Sequence, residues 1–187
     1  MAGPGFSSHF QGAMGIAMNL WLRLLLVLLR ARWGASLGPL DTSRVPFRVW
    51  PHDCDVNWHM NNGRYATLMD LGRVDLMVRA GFLRAIRREK LYPVVAAQHL
   101  TYRHGLDPFQ AFTLETRVLG WDERFIVLEQ RFVRGERVHA RGYVQALFAD
   151  KDGRVPTARV VALLGIESAR NVPEPVAVLF PPSARLP

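Results

Sequence analysis

From Asp53 to Tyr65 the chain reads Asp-Cys-Asp-Val-Asn-Trp-His-Met-Asn-Asn-Gly-Arg-Tyr, which gathers two carboxylates, an imidazole and three side-chain amides. A carboxylate can attack a thioester carbonyl, or draw a proton from the water that does. The oxyanion formed in that step needs hydrogen-bond donors, and the unpaired N–H groups at a helix start supply them. A thioester needs little more, because a thiolate leaves readily. Asp53 and Asp55 are the two carboxylates in the stretch that could take this step, as nucleophile or as general base. His59, Asn61, Asn62 and Tyr65 form the region that would receive the substrate and its oxyanion.

Several of these residues also have a structural reading. Asn61 or Asn62 is a natural N-cap for the helix that follows. His59 could be a buried histidine satisfied by backbone, and Asp53 is expected to hold the loop through nearby backbone N–H groups. Cys54, between two acids, should have a raised thiol pKa and be a poor nucleophile. Tyr65 reads as a packed aromatic with a tethered hydroxyl rather than an acid.

The elements that would position this loop follow from periodicity. Val45–Trp50 is strand-like and is closed by Pro51. Tyr65 to Leu83 has helical spacing, with apolar Leu68, Leu71, Leu76, Met77 and Val78, and Gly81 as a stop signal. Four strands follow, at Pro93–Tyr102, Phe112–Leu119, Phe125–Val133 and Val138–Ala149. They are separated by turns at Gly105–Pro108, Gly120–Glu123 and Gly135–Glu136. Phe112, Leu114, Thr116 and Val118 alternate onto one face, the period of a strand covered on one side. With one long helix to cover that sheet, the expected architecture is α+β, a curved antiparallel sheet of about five strands around a central helix. Open sheet edges lead us to expect a homodimer, or a dimer of dimers.

Four segments are expected: a disordered leader at 1–17, an apolar helix and linker at 18–40, the domain at 41–168, and a Pro-rich tail at 169–187. The stretch Met18 to Arg32 is too short for a spanning helix and is interrupted by Arg23. As a helix it puts Asn19, Arg23 and Arg30 on one narrow stripe and Leu, Val and Trp around the rest. It would lie in a membrane interface or pack on the domain. A signal peptide would carry positive charge before the apolar run, and this one carries it after. The domain is thus expected in the cytoplasm, with a membrane surface as the possible partner of residues 18–32.

Composition narrows the chemistry. A chain of 187 residues with 49% hydrophobic and 21% charged residues can bury a full core. One cysteine allows no internal disulfide. No Cys/His cluster suggests a metal, and no glycine loop suggests a phosphate cradle, so no cofactor is expected. The net charge is +8, and all basic residues but Lys90 and Lys151 are Arg, scattered along the chain. Nucleic-acid binding would need them clustered, whereas a phosphate-bearing small molecule suits guanidinium groups.

The stretch Asp55-Val-Asn-Trp-His59-Met-Asn61-Asn62-Gly-Arg-Tyr65 resembles the signature of the 4-hydroxybenzoyl-CoA thioesterase-like group of hotdog proteins. Leu68-Met69-Asp70-Leu71-Gly72-Arg73, Pro93-Val94-Val95 and Tyr102-Arg103 are similar to that group's helix and second strand. The resemblance spans about Val45 to Ala149 and is strongest to the subset that includes thioesterase superfamily member 6. It implies a hotdog fold and hydrolysis of an acyl-coenzyme A, with Asp55 as base or nucleophile and with His59 and Asn61 shaping the loop. Asp70 matches a helical acid of variable role, so it is the second-choice carboxylate, although it could pair with Arg73 instead. Arg84, Arg87, Arg88 and Arg103 are candidates for the coenzyme A phosphates by charge alone. The first 40 residues have no counterpart in compact members of the group. A non-catalytic binder of acyl-CoA or acyl carrier protein is the alternative. A hydratase of the same fold is disfavoured by the lack of a second His near the helix.

Overall fold

The computed structural model describes residues 8–166 and 170–180, with side chains from Leu20 onward. Five strands form one antiparallel sheet: β1 (Ser43–Arg48), β2 (Tyr92–Tyr102), β3 (Ala111–Trp121), β4 (Ile126–Arg134) and β5 (Arg137–Asp150). Their order is β1-β3-β4-β5-β2, and a short β6 (Gly153–Val155) adds to β5. Helices α1 (Ser8–Trp33), α2 (Asn62–Arg79), α3 (Phe82–Arg88), α4 (Thr157–Leu163) and α5 (Glu174–Ala177) complete the chain.

The period of two seen in the sequence sets the inner face. In β3, Phe112, Leu114, Thr116 and Val118 are all buried, alternating with half-exposed neighbours. Phe132 of β4 and Val144 of β5 join them, and α2 lays Leu68, Met69 and Leu76 onto this surface. The helix comes unusually close at Gly72, where a Cβ would sit 2.6 Å from the Thr116 hydroxyl. That approach brings Thr116, Gln130 and Arg73 together in the core, where they bond to one another. Gln130 Nε2 donates to Thr116 Oγ1 and to the Met69 carbonyl, each at 2.9 Å, while Arg73 donates to Gln130 Oε1 at 2.8 Å. Buried amides and hydroxyls are tolerated only when bonded in this way. A curved antiparallel sheet wrapped on one long helix is the hotdog arrangement.

The helix boundaries shift from the expected 65–83 because caps decide them. Asn61 is the N-cap, its side chain accepting from the Gly63 N–H at 2.8 Å, so α2 starts early. Gly81, at φ +75°, turns the chain out of α2 and into α3, a separate helix not foreseen. The strand of β3 also runs on to Trp121, and the turn begins at Asp122. There the carboxylate accepts from the Arg124 and Phe125 N–H groups, each at 2.7 Å.

Both ends of the chain differ from expectation. Helix α1 begins at Ser8, inside the segment expected as a leader; nothing between Ser8 and Met18 stops a helix, since the run contains Gly but no Pro. Residues 1–7 lie outside the described residues. In the tail, residues 170–180 hold a helical turn, α5, which buries Val176. The Arg170 carbonyl accepts from the Trp121 N–H at 2.9 Å, which ties this segment to the end of β3. Proline sits at the first turn of α5, where its missing N–H costs nothing. One face of α1 buries Val27 and Ala31, with Leu20 and Leu24 against the core, and the other exposes Trp21, Leu22, Leu25, Leu26, Leu29 and Trp33. Among the described residues, no helix is long and apolar enough to cross a membrane.

Candidate active site

The loop between β1 and α2 opens with a 3₁₀ turn, Pro51–Asp53, and then folds back on itself. Cys54 and Met60 form a bridge, the Asp55 N–H donates to the His59 carbonyl at 2.9 Å, and the Trp58 N–H donates to the Asp55 carbonyl at 3.1 Å. Trp58 closes this tight turn at φ +57°, a conformation costly for a bulky residue. Asp55 stands at the shoulder of the turn, half-buried. Its Oδ1 accepts from the Asn57 N–H at 2.9 Å, and among the described residues Oδ2 has no partner. One carboxylate oxygen is thus fixed and the other is available.

The donors at the start of α2 are partly spent. The Gly63 N–H is held by Asn61 Oδ1 and the Arg64 N–H by the Asn61 carbonyl. The amide of Asn62, first in the helix, is the remaining candidate for an oxyanion. Tyr65 is buried edge-on between Tyr102 and Phe132, with ring centroids at 5.0 and 4.8 Å. Burial, and then Tyr102, push its phenol up to about 12, against a partial pull downward from the Leu106 backbone amide. It is therefore a packed aromatic and supplies no proton near neutral pH. The Tyr102 hydroxyl donates to the Asn62 carbonyl at 3.3 Å, holding the helix start against β2.

His59 is exposed rather than buried, and its Nε2 lies 3.4 Å from Asp107 Oδ1. Asp107 was missed by sequence reasoning. It sits in a turn read only as Gly-Leu-Asp-Pro, and only the fold brings that turn beside the loop, where the Met60 N–H donates to the Leu106 carbonyl at 2.8 Å. Burial, then Asp53, Asp55 and Asp107, raise the Cys54 thiol pKa, the direction expected for a cysteine between two acids.

Asp53 does more than its expected part. Its side chain is fully enclosed, and its Oδ2 accepts from the Trp50 N–H at 2.9 Å and from Arg23 of α1 at 2.6 Å. Arg64 Nε stands 3.2 Å from Oδ1. Neither arginine was matched with Asp53 from sequence, because nothing local pairs residue 23 or residue 64 with residue 53.

The four phosphate candidates are divided. Arg103 follows β2 at the Asp55 end of the sheet, its N–H donating to the His139 carbonyl at 2.9 Å. Arg84, Arg87 and Arg88 are exposed on α3, beyond the far end of α2. An 18-residue helix is roughly 27 Å long, so these three lie far along the molecule from Asp55 of their own chain. The same far end holds an apolar cavity of about 230 Å³, whose lining includes Val94, Val118, Ile126, Leu128, Phe148 and Val161. Asp70 and Arg73 are its charged lining residues, joined by an ion pair that leaves Asp70 exposed. Asp70 is thus away from Asp55 and engaged by Arg73. Among the described residues, no group of three or more His, Cys, Asp or Glu side chains could hold a metal ion.

Residues 49–184 match the family model described as the thioesterase-like superfamily. The chain belongs to that superfamily. Within it, this thioesterase-like chain is 39% identical over 118 residues to Protein THEM6 of Danio rerio, covering 62% of this chain and 58% of that protein. It is 27% identical over 121 residues to the probable thioesterase YBR096W of Saccharomyces cerevisiae, covering 64% and 50%. The match thus spans about half the length of these curated relatives, 58% of the first and 50% of the second. Among solved structures, the probable thioesterase YbaW of Escherichia coli superposes with a TM-score of 0.61 at 17% identity, covering 65% of this chain and 95% of that one. The 4-hydroxybenzoyl CoA thioesterase of Pseudomonas sp. strain CBS-3 gives 0.58 at 15% identity, covering 65% and 98%. Both share the hotdog fold of this thioesterase-like chain. The matched region begins at residue 49, so α1 and β1 lie before it.

Proposed function

We propose that this protein hydrolyses an acyl-coenzyme A thioester to the free acid and coenzyme A, with Asp55 as the reacting carboxylate. The observation that carries this reading is the half-buried Asp55, one carboxylate oxygen fixed by the Asn57 N–H and the other without a partner among the described residues, on the loop that leads into α2. In that arrangement Asp55 attacks the thioester carbonyl or deprotonates a water that does, the Asn62 N–H receives the oxyanion, and the thiolate of coenzyme A departs. His59 and Asn61 shape the loop. Superfamily membership supports thioester chemistry over hydratase chemistry.

The active unit in this reading is a homodimer. Edge strand β1 is six residues long and contains Pro46, whereas edge strand β2 is eleven residues long and exposes Tyr92, Val94, Val95 and Tyr102. A long apolar edge is a template for pairing, while a short Pro-containing one is blunted. Antiparallel pairing of two β2 strands about a twofold axis places the Asp55 end of one protomer beside the cavity end of its partner. The cavity then accepts the acyl chain, and Arg84, Arg87 and Arg88 come within range of the nucleotide. A lining made mostly of Val, Ile, Leu, Met and Phe favours an aliphatic acyl group over a charged one.

The test is complementation. Asp55→Asn removes the carboxylate, and Ala146→Trp fills the cavity of the same chain. Each variant alone should be inactive on a long-chain acyl-CoA, and co-expressed chains should regain activity through mixed dimers. No recovery from a mixture shown to contain mixed dimers would reject the shared site. Binding of acyl-CoA without turnover by the wild type would favour the binder.

The exposed face of α1 supports a peripheral membrane contact as well. Trp21, Leu22, Leu25, Leu26, Leu29 and Trp33 lie along it, with Arg30 and Arg32 at its end, a composition suited to an anionic cytoplasmic leaflet. Replacing Trp21, Leu25 and Leu29 with Ser should release the protein from anionic liposomes, and unchanged sedimentation would reject the contact.

A further inference from the structure

Helix α1 lies outside the region that the superfamily model matches, yet it reaches the candidate active site directly. Arg23, whose side chain is 11% exposed, donates to the fully enclosed Asp53 carboxylate at 2.6 Å. Asp53 is the base of the Asp55 loop. Its side chain accepts from the Trp50 N–H at one end of the loop, and its carbonyl accepts from the Asn61 N–H, at 2.8 Å, at the other. Asn61 in turn caps α2. Two residues beyond Asp53 stands Asp55. The two guanidinium groups, from Arg23 and Arg64, approach opposite oxygens of Asp53 and neutralise it next to the reacting carboxylate.

We infer that Arg23 is a positioning residue: through Asp53 it fixes the loop that carries Asp55 against the start of α2, so the site is incomplete without α1. This rests on the role proposed for Asp55. Arg23 touches no substrate atom, and its effect falls on the orientation of a group that does. A misplacement of about 1 Å at a reacting group can lower a rate roughly a hundredfold. Arg23 differs in this from its neighbours on α1. Val27 is more deeply buried but packs in the apolar core and makes no bond to the loop. Burial of α1 and alignment of Asp55 are thus separable by substitution.

The experiment compares Arg23→Gln, Arg23→Lys and Val27→Ala in the full chain, with kcat, KM and thermal unfolding measured for each on one acyl-CoA. Arg23→Gln should lower kcat by about 10–100-fold with KM nearly unchanged, since alignment and not binding is lost. Arg23→Lys, which keeps the charge but not the planar fork, should fall between Arg23→Gln and wild type. Val27→Ala should lower the melting temperature and leave kcat alone. In an Asp53→Asn background, Arg23→Gln should have little further effect on kcat, because the two act as one unit. Equal kcat losses in Val27→Ala and Arg23→Gln would overturn the inference, as would a wild-type kcat in Arg23→Gln. Should Arg23→Gln not fold, the comparison passes to Arg23→Lys against Val27→Ala: a reduced kcat only in the lysine variant supports the inference, and an unreduced one overturns it. Asp55→Asn separates the two levels. If it retains turnover, the proposed chemistry fails; if it is inactive while Arg23→Gln is fully active, only the role of Arg23 fails.

Discussion

Asp55→Asn should lower acyl-CoA turnover by roughly 10²–10⁴-fold, the scale for loss of a positioned acid or base. The substitution keeps shape and volume, and the amide oxygen can still accept from the Asn57 N–H that now holds Oδ1. The tight turn closed by the Asp55 and Trp58 backbone bonds should survive, because those bonds use no side-chain atom. What is lost is the charge on the free oxygen, and with it both nucleophile and base. Affinity for a non-hydrolysable acyl-CoA thioether should be unchanged, since no coenzyme A contact is removed. Steady-state kinetics beside a binding isotherm make the check, with kcat falling and Kd standing still. Retention of more than about a third of wild-type turnover would reject the role, given the expected scale. Asp70 would then be the next carboxylate to test, although its pairing with Arg73 and its place by the cavity leave it less free.

The sheet was legible because its signals are local. Alternation in β3 predicted which residues turn inward, down to the buried Thr116, and glycine and aspartate turns bounded the strands to within a few residues. The Asn61 cap of α2 was legible for the same reason, since cap and helix start lie within one short stretch. Tertiary contacts were not. Asp107 meets His59 only because the segment after β2 folds back along the loop. Arg23 read as an interruption in an apolar helix, whereas in the fold it is the group that meets a buried acid thirty residues away. The arginines of α3 were chosen by charge, and charge carries no information about which end of α2 they occupy. Helix α3 itself was hidden because Leu, Ile and Arg continue the helical pattern past Gly81, where the backbone turns.

Asp53→Ala should be the most destabilising single change in the loop. A buried ion pair contributes little relative to apolar residues of the same shape, but removing one partner strands the other. Losing one member of such a pair typically costs about 3–5 kcal/mol. Here one carboxylate meets two guanidinium groups, both mostly buried, and also accepts the Trp50 N–H. Alanine would leave Arg23 and Arg64 without this counter-charge and the Trp50 amide without its side-chain acceptor. For a domain of this size each kcal/mol corresponds to about 2–4 °C in Tm, so the loss should be roughly 6–20 °C by calorimetry or circular dichroism. Asp53→Asn keeps an acceptor and the side-chain volume and should fall between. The pattern discriminates against the view that Asp53 only closes a local turn: in that case Asn would restore stability fully, and Arg23→Gln would not share the loss. A Tm for Asp53→Ala within a few degrees of wild type would mean that the two arginines find water or other acceptors when the carboxylate is gone, and that the ion triad is not what holds α1 to the loop.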